Sequence, residues 1–184
     1  MEDPYITTAT GGRIHLTLER FDPEAIDFED VLLGLPHINR YNGRTLYPHS
    51  VAHHTLNLSE AMRLMGAGRI MERWAFIHDW FEYVIGDLIA PVRVNLPWAD
   101  ELESRALRAI AIRNGLPPVM PPGLLDYDKR IRRNEMDVFG PPHTEKWWLR
   151  YEPLPYLSPW HFRQRSVESV RSEFAKRAEE LGVR

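Results

Sequence analysis

The sequence predicts an all-α domain of about six helices carrying a small β-hairpin at its N-terminus. Three observations predict it. Apolar residues recur at helical spacing through most of the chain, glycine and proline clusters separate those stretches, and a Gly11-Gly12 pair lies between two short segments with β-branched residues near the start. A chain of 184 residues, 43% hydrophobic and 27% charged, fits one compact domain over residues 1–184 with a single core.

Each element has its own signal. Ile6-Thr7-Thr8 and Arg13-Ile14-His15-Leu16 flank the glycines and read as the hairpin. From Asp27, acidic residues followed by apolar ones at helical spacing predict a short helix ending near Gly34-Leu35-Pro36, and residues 37–44 read as a loop. The run 50–65 carries an apolar stripe stopped by Gly66 and Gly68, which predicts a second helix. A central helix is expected over 69–85, broken by Gly86. Residues 98–113 alternate apolar and charged at a period near 3.6, and Gly115 with four prolines from 117 to 122 ends that helix. Another resumes at Leu124, runs to about Asp137, and is more polar than apolar. Residues 140–159, rich in Pro, Trp and Tyr, read as a packed loop, and Ser158-Pro159 reads as the N-terminus of a last helix running to Leu181.

Composition narrows the function classes. With no cysteine, disulfides, thiolate chemistry and cysteine zinc sites are absent, so any metal must sit on histidines and carboxylates. The N-terminus has no basic segment followed by an apolar core, and no run approaches the ~18 apolar residues of a membrane span, so the expectation is a cytoplasmic protein with no membrane partner. A net charge of −3 argues against a nucleic-acid partner, although all but three of the 23 basic residues are arginine, the side chain best shaped for phosphate oxygens.

The chemistry concentrates in residues 73–87, where His78, Asp79 and Glu82 interrupt an apolar, aromatic run. Buried ionisable groups cost on the order of several kcal/mol unless they are paired or bind a metal, so these three point to a metal site. On a helix His78 and Glu82 are at i, i+4, and Asp79 and Glu82 at i, i+3, so all three can border one cleft. His53-His54 lies at the start of the preceding helix, 24 residues before His78-Asp79, a spacing that suits two antiparallel helices. A fourth ligand can come from Asp126, Asp128 or Asp137, and spacing does not choose among them. A lone histidine on an apolar helix face is more often a hydrogen-bonded core residue than a ligand. On that ground His15, His49, His143 and His161 read as surface or capping groups, and His53 as either. Trp147, Trp148 and Trp160 read as core and loop packing, and Arg44 as a solvated loop residue.

Three segments, Ile38-Asn39-Arg40-Tyr41-Asn42-Gly43, residues 50–55 and the block 78–93, together resemble the HD-domain metal-dependent phosphohydrolases. The likeness is to the small nucleotide-acting branch that includes the YfbR-type 5'-deoxynucleotidases and phage dATP triphosphohydrolases of the DatZ type. Asp128-Lys129-Arg130, with Glu135 seven residues on, is similar to that family's final ligand motif. The resemblance implies an HD-type helical bundle and one divalent transition-metal ion (Co, Mn, Zn, Fe or Ni) on His54, His78, Asp79 and Asp128. It implies Glu82 as the catalytic carboxylate, and a nucleotide bound by Arg40, Tyr41, Asp87 and Arg93. His53 departs from the pattern, being acidic or Gln in most relatives. The implied reaction attacks the phosphorus nearest the sugar, releasing phosphate from a deoxynucleoside monophosphate or triphosphate from a dNTP, and the implied assembly is a homodimer or higher oligomer. A non-catalytic metal- and nucleotide-binding sensor is the alternative; Glu82 separates the two, because a sensor has little use for a carboxylate one turn after the His-Asp pair.

Overall fold

The computed structural model describes residues 4–142 and 145–184, which form a predominantly helical fold with one two-stranded hairpin. Strands β1 (Tyr5–Thr7) and β2 (Arg13–His15) pair antiparallel with Ile6 opposite Ile14. Then follow α1 (Phe28–Gly34), α2 (Val51–Leu64), α3 (Arg69–Ile77), the single turns α4 (Glu82–Ile85) and α5 (Ala90–Arg93), α6 (Pro97–Arg113), α7 (Leu124–Phe139) and α8 (Val167–Leu181). Among the described residues no helix is long and apolar enough to cross a membrane.

Local chemistry sets most of these boundaries. The Asp27 carboxylate accepts from the Glu29 N–H at 2.8 Å and starts α1, and the Ser50 hydroxyl accepts from the His53 N–H at 3.2 Å and starts α2. At the end of α2 the Ala67 N–H returns to the Met62 carbonyl and the Gly66 N–H to that of Arg63, a Schellman closure that requires Gly66 at φ +66°. The same pair of bonds at Leu116 and Gly115 ends α6.

α2 and α3 pack closely on each other, and α8 closes over α1 and α2. The core is aromatic: Phe76 lies on Phe174 with ring centroids 4.4 Å apart, and Trp80, fully buried, meets Phe28 and Phe76. One buried ion pair crosses it, Arg177 donating to Glu72 at 2.6 Å and to the Ser59 hydroxyl at 3.2 Å, which ties α8 to α3 and α2.

Two boundaries depart from expectation. The central helix does not run unbroken over 69–85: it stops at Ile77, and residues 78–81 form tight turns before α4. Trp80, Glu82, Tyr83 and Val84 each donate to the carbonyl three residues back, and His78 and Phe81 have ψ near −27° and −21°, the 3-10 range. In this tightened stretch His78 and Asp79 turn their side chains to one spot, His78 Nε2 lying 3.2 Å from Asp79 Oδ1. The last helix does not begin at Ser158. Pro159–Phe162 is an isolated 3-10 turn capped by Ser158, and α8 starts at Val167 with Ser166 as cap. The His161 carbonyl explains the gap. It accepts from His53 and Asn57 on α2, an engagement that a continuous helix would replace with its own ladder bond.

Candidate metal centre

His54 comes from the first turn of α2, His78 caps α3, Asp79 follows it, and Asp128 lies in the second turn of α7. One ligand atom from each falls within 4.8 Å of all the others. His54 Nε2 is 3.3 Å from Asp128 Oδ1 and 3.5 Å from Asp79 Oδ2, and His78 Nε2 is 3.2 Å from Asp79 Oδ1 and 3.9 Å from Asp128 Oδ1. Asp126 and Asp137 stay outside: Asp126 is exposed, and Asp137 accepts from Arg133 and from the Trp148 indole. This buried group of two imidazoles and two carboxylates could hold a metal ion.

The atoms themselves test that fit. His54 Nε2, His78 Nε2 and Asp128 Oδ1 are buried and have no hydrogen-bond partner. Such atoms are rare in a folded protein and call for an explanation. The opposite ring nitrogens are both engaged, His78 Nδ1 donating to the Ala75 carbonyl at 2.9 Å and His54 Nδ1 lying 2.5 Å from Glu135 Oε1. Bonds of that kind fix ring orientation and leave Nε2 for a metal.

Electrostatics agree. Burial alone would raise the Asp79 and Asp128 carboxyls, but His78, His54 and Arg40 around the first, and His54, Arg132 and Arg40 around the second, hold both below the usual range. Burial and Arg40 push the His54 imidazole down, and Glu135 and Asp128 outweigh them, lifting it to about 8. The carboxylates draw positive charge to this point.

Glu82 is 9% exposed, and its Oε2 is buried without a partner. Burial first, then Asp79 and Asp87, raise its carboxyl well above the usual range.

Arg40 lies against the cluster. Its Nη1 donates to Asp79 Oδ2 at 3.1 Å, Nη2 is 3.7 Å from Asp128 Oδ1, and Nε is 3.3 Å from Glu135 Oε2. The turn that presents it is strained, with Tyr41 and Asn42 at φ +57° and +50°. Long-range bonds hold that turn: the Tyr41 hydroxyl donates to Glu135 Oε2 at 2.5 Å, the Asn42 N–H donates to Asp87 Oδ2 at 3.0 Å, and the Arg40 N–H donates to the His49 carbonyl at 2.9 Å. Asp87 therefore braces the Arg40 turn. The Arg93 guanidinium donates to Asp100 and Glu103 on α6.

Three residues matter more than their sequence context signalled. Glu135, wholly buried, joins Tyr41, His49, His54 and Arg40. The usable signal was its position, two turns after Asp128 and so on the same face of α7. His49 is not a surface group; it is fully buried, 3.1 Å from Glu135 Oε1, with its ring stacked on Phe139. Arg132, one turn beyond Asp128, donates to its Oδ2.

The other expected roles divide. His53 is a core histidine whose Nε2 donates to the His161 carbonyl at 2.8 Å, and burial followed by His49 lowers it to about 3. His161 does cap, its Nδ1 accepting from the Ser158 N–H. His15 is half-buried beside the Tyr5 ring, Arg44 is exposed, and His143 lies outside the described residues. Trp148 is buried and Trp147 half-buried near Tyr41, whereas Trp160 is 64% exposed under the Arg163 guanidinium and is not core packing.

No family model matches the chain. It is 40% identical to an uncharacterised protein of Rhodobacter capsulatus over 112 residues, 56% of this chain and 57% of that protein. It is 28% identical over 119 residues to the uncharacterised protein YfdR of Escherichia coli, 63% of this chain and 61% of YfdR. The chain thus spans less than two thirds of the length of these curated relatives.

Proposed function

We propose that this protein is a metal-dependent phosphohydrolase of the HD-domain kind, acting on a nucleotide. One observation carries the reading: a buried, unpartnered carboxyl, Glu82, stands one turn from a four-residue cluster whose ligand atoms are themselves unpartnered. His54, His78, Asp79 and Asp128 would hold a divalent ion such as Mn, Fe, Co, Ni or Zn. When bound, the ion polarises a phosphoryl oxygen and makes water a competent nucleophile at neutral pH.

The chain's own groups do the rest. Glu82 Oε2 takes a proton from the attacking water as its oxygen bonds to phosphorus, and returns that proton to the leaving oxygen as the old P–O bond breaks. Burial, with Asp79 and Asp87 nearby, raises this carboxyl above the usual carboxylate range, the direction in which a general acid is tuned. Glu135 and the Ala75 carbonyl keep the two imidazoles turned toward the ligand cluster. Arg40, engaged with Asp79 and close to Asp128 and Glu135, steadies the carboxylates.

The test is incubation with Mn or Co and a panel of dAMP, dATP, AMP and ATP, with products separated by ion exchange. Phosphate from dAMP alone selects a monophosphatase, and intact triphosphate with nucleoside from dATP selects a triphosphohydrolase. No product from any nucleotide with any metal sinks both and leaves the sensor. The resemblance also implies a homodimer or higher oligomer, and light scattering showing a monomer at micromolar concentration removes it.

A further inference from the structure

We infer that Arg132 is the anion-binding arm of this site, taking a non-bridging oxygen of a phosphoryl group; this rests on the phosphohydrolase reading and adds a residue to it. The inference comes from asking which cation near the cluster still has donors to offer. Arg40 is only 6% exposed at its side chain, and Asp79, Asp128 and Glu135 surround it. Arg93 is engaged by Asp100 and Glu103. On α7, Arg130 donates to the carbonyls of Glu152 and Pro153, and Arg133 to Asp137 and the Leu149 carbonyl.

Arg132 combines exposure with an unpartnered donor, whereas the Nε of Arg40, also without a hydrogen-bond partner, belongs to a side chain only 6% exposed. Arg132 Nη2 donates to Asp128 Oδ2, which anchors the guanidinium at the cluster and leaves Asp128 Oδ1 as the unpartnered atom. Its Nε is buried without a hydrogen-bond partner, while the side chain is 33% exposed. It is thus anchored to Asp128 through Nη2 while a third of its side chain is exposed. A guanidinium has five N–H donors in a planar fork that matches phosphoryl oxygens, and one contact to Asp128 leaves most of them.

The charge balance has the right sign. The carboxylates of Asp79, Asp128 and Glu135 face the guanidinium groups of Arg40 and Arg132, and a divalent ion on the cluster would shift that formal balance toward positive. A buried cluster made more positive by a metal ion, with one partly exposed guanidinium beside it, favours a phosphoryl anion over a neutral ligand.

The test uses the Mn-loaded protein and inorganic phosphate as the probe, with affinity measured by calorimetry and bound metal by elemental analysis. Arg132→Gln is expected to weaken phosphate binding roughly tenfold or more, as for loss of a charge-assisted contact, with metal content unchanged. Arg133→Gln, one residue along and turned to Asp137 and the Leu149 carbonyl, is expected to leave affinity as it was. Unchanged affinity in Arg132→Gln overturns the assignment. So does phosphate binding lost only in proportion to metal, since Arg132 would then serve Asp128 alone, and so does a parent protein that binds no phosphate. If Arg132→Gln does not fold, Arg132→Lys decides: it keeps the charge and loses the fork, and affinity equal to the parent's overturns the proposal. Phosphate binding that depends on Arg132 in a protein that hydrolyses no nucleotide would leave this subsite standing while removing the phosphohydrolase.

Discussion

Glu135 Oε1 lies 2.5 Å from His54 Nδ1, and this contact, together with Arg40, joins the metal cluster to the rest of the buried polar network. The same oxygen is 3.1 Å from His49 Nε2, and Oε2 accepts from the Tyr41 hydroxyl at 2.5 Å. Burial alone would raise this carboxyl; Arg40, His54 and His49 hold it well below the usual range, so it serves as an acceptor only.

Glu135→Gln keeps the shape and removes the charge, and its amide nitrogen is a donor where an acceptor was needed. Outer-shell substitutions of this kind typically cost about 10–100-fold in metal affinity, and that is the loss expected here, with the helical circular dichroism retained. Metal titration giving the parent's affinity would remove Glu135 from its supporting role.

His54→Ala and Asp128→Ala are each expected to abolish the single bound ion. Stoichiometric metal in both, by elemental analysis, would show that the ligands lie elsewhere. Chelation of the parent should lower its melting temperature as well. At free metal about 100-fold over Kd the ion contributes about 2.7 kcal/mol, worth roughly 5–10 °C in a chain of this size.

Much of this arrangement was legible in the sequence because local chemistry decides it. Asp27 and Ser50 start helices, Gly66 and Gly115 end them, and His54, His78, Asp79 and Asp128 meet in one cluster as the resemblance implied. What was not legible depends on distant partners. The apolar period runs unbroken through residues 73–85, so nothing local marks the tightening at His78. Ser158-Pro159 carries a genuine helix-start signal, and only the claim of His53 and Asn57 on the His161 carbonyl ends that turn early. His49 is separated from Glu135 by 86 positions, and no spacing rule connects them. The guanidinium of Arg93 fits phosphate as well as any, and only the fold shows Asp100 and Glu103 holding it.

Glu82→Gln tests the proton transfer directly. The amide is nearly isosteric and Glu82 is not among the four clustered ligands, so metal and nucleotide should still bind. Turnover should fall by at least about a hundredfold, the lower range for losing a general acid–base group. Turnover near that of the parent would exclude Glu82 from the chemistry.

Gly34 probes the support beneath Glu82. A Cβ at this position would stand 2.3 Å from Tyr83 Cε2 and 2.4 Å from Cδ2, far inside contact distance. Gly34 has φ −95°, a backbone that alanine adopts freely and at which the substitution alone would stabilise by about 0.4–1 kcal/mol, so a loss on Gly34→Ala points to that collision. Tyr83 cannot yield without consequence. Its hydroxyl accepts from the Ala9 N–H of the hairpin turn at 3.1 Å, and its backbone is the residue after Glu82 in the single turn α4. Overpacking of this sort typically costs about 1–3 kcal/mol, which denaturant unfolding would measure. The informative readout is the balance between two losses. Asp79 and His78 precede the disturbed turn and His54 and Asp128 stand on other helices, so metal content should survive, whereas Glu82 shares the turn with Tyr83 and turnover should drop. Equal loss of metal and turnover would mean that the collision spreads through the whole cluster. Parent-like stability and turnover would mean that the ring finds another place, and that α4 is not fixed by its contact with α1.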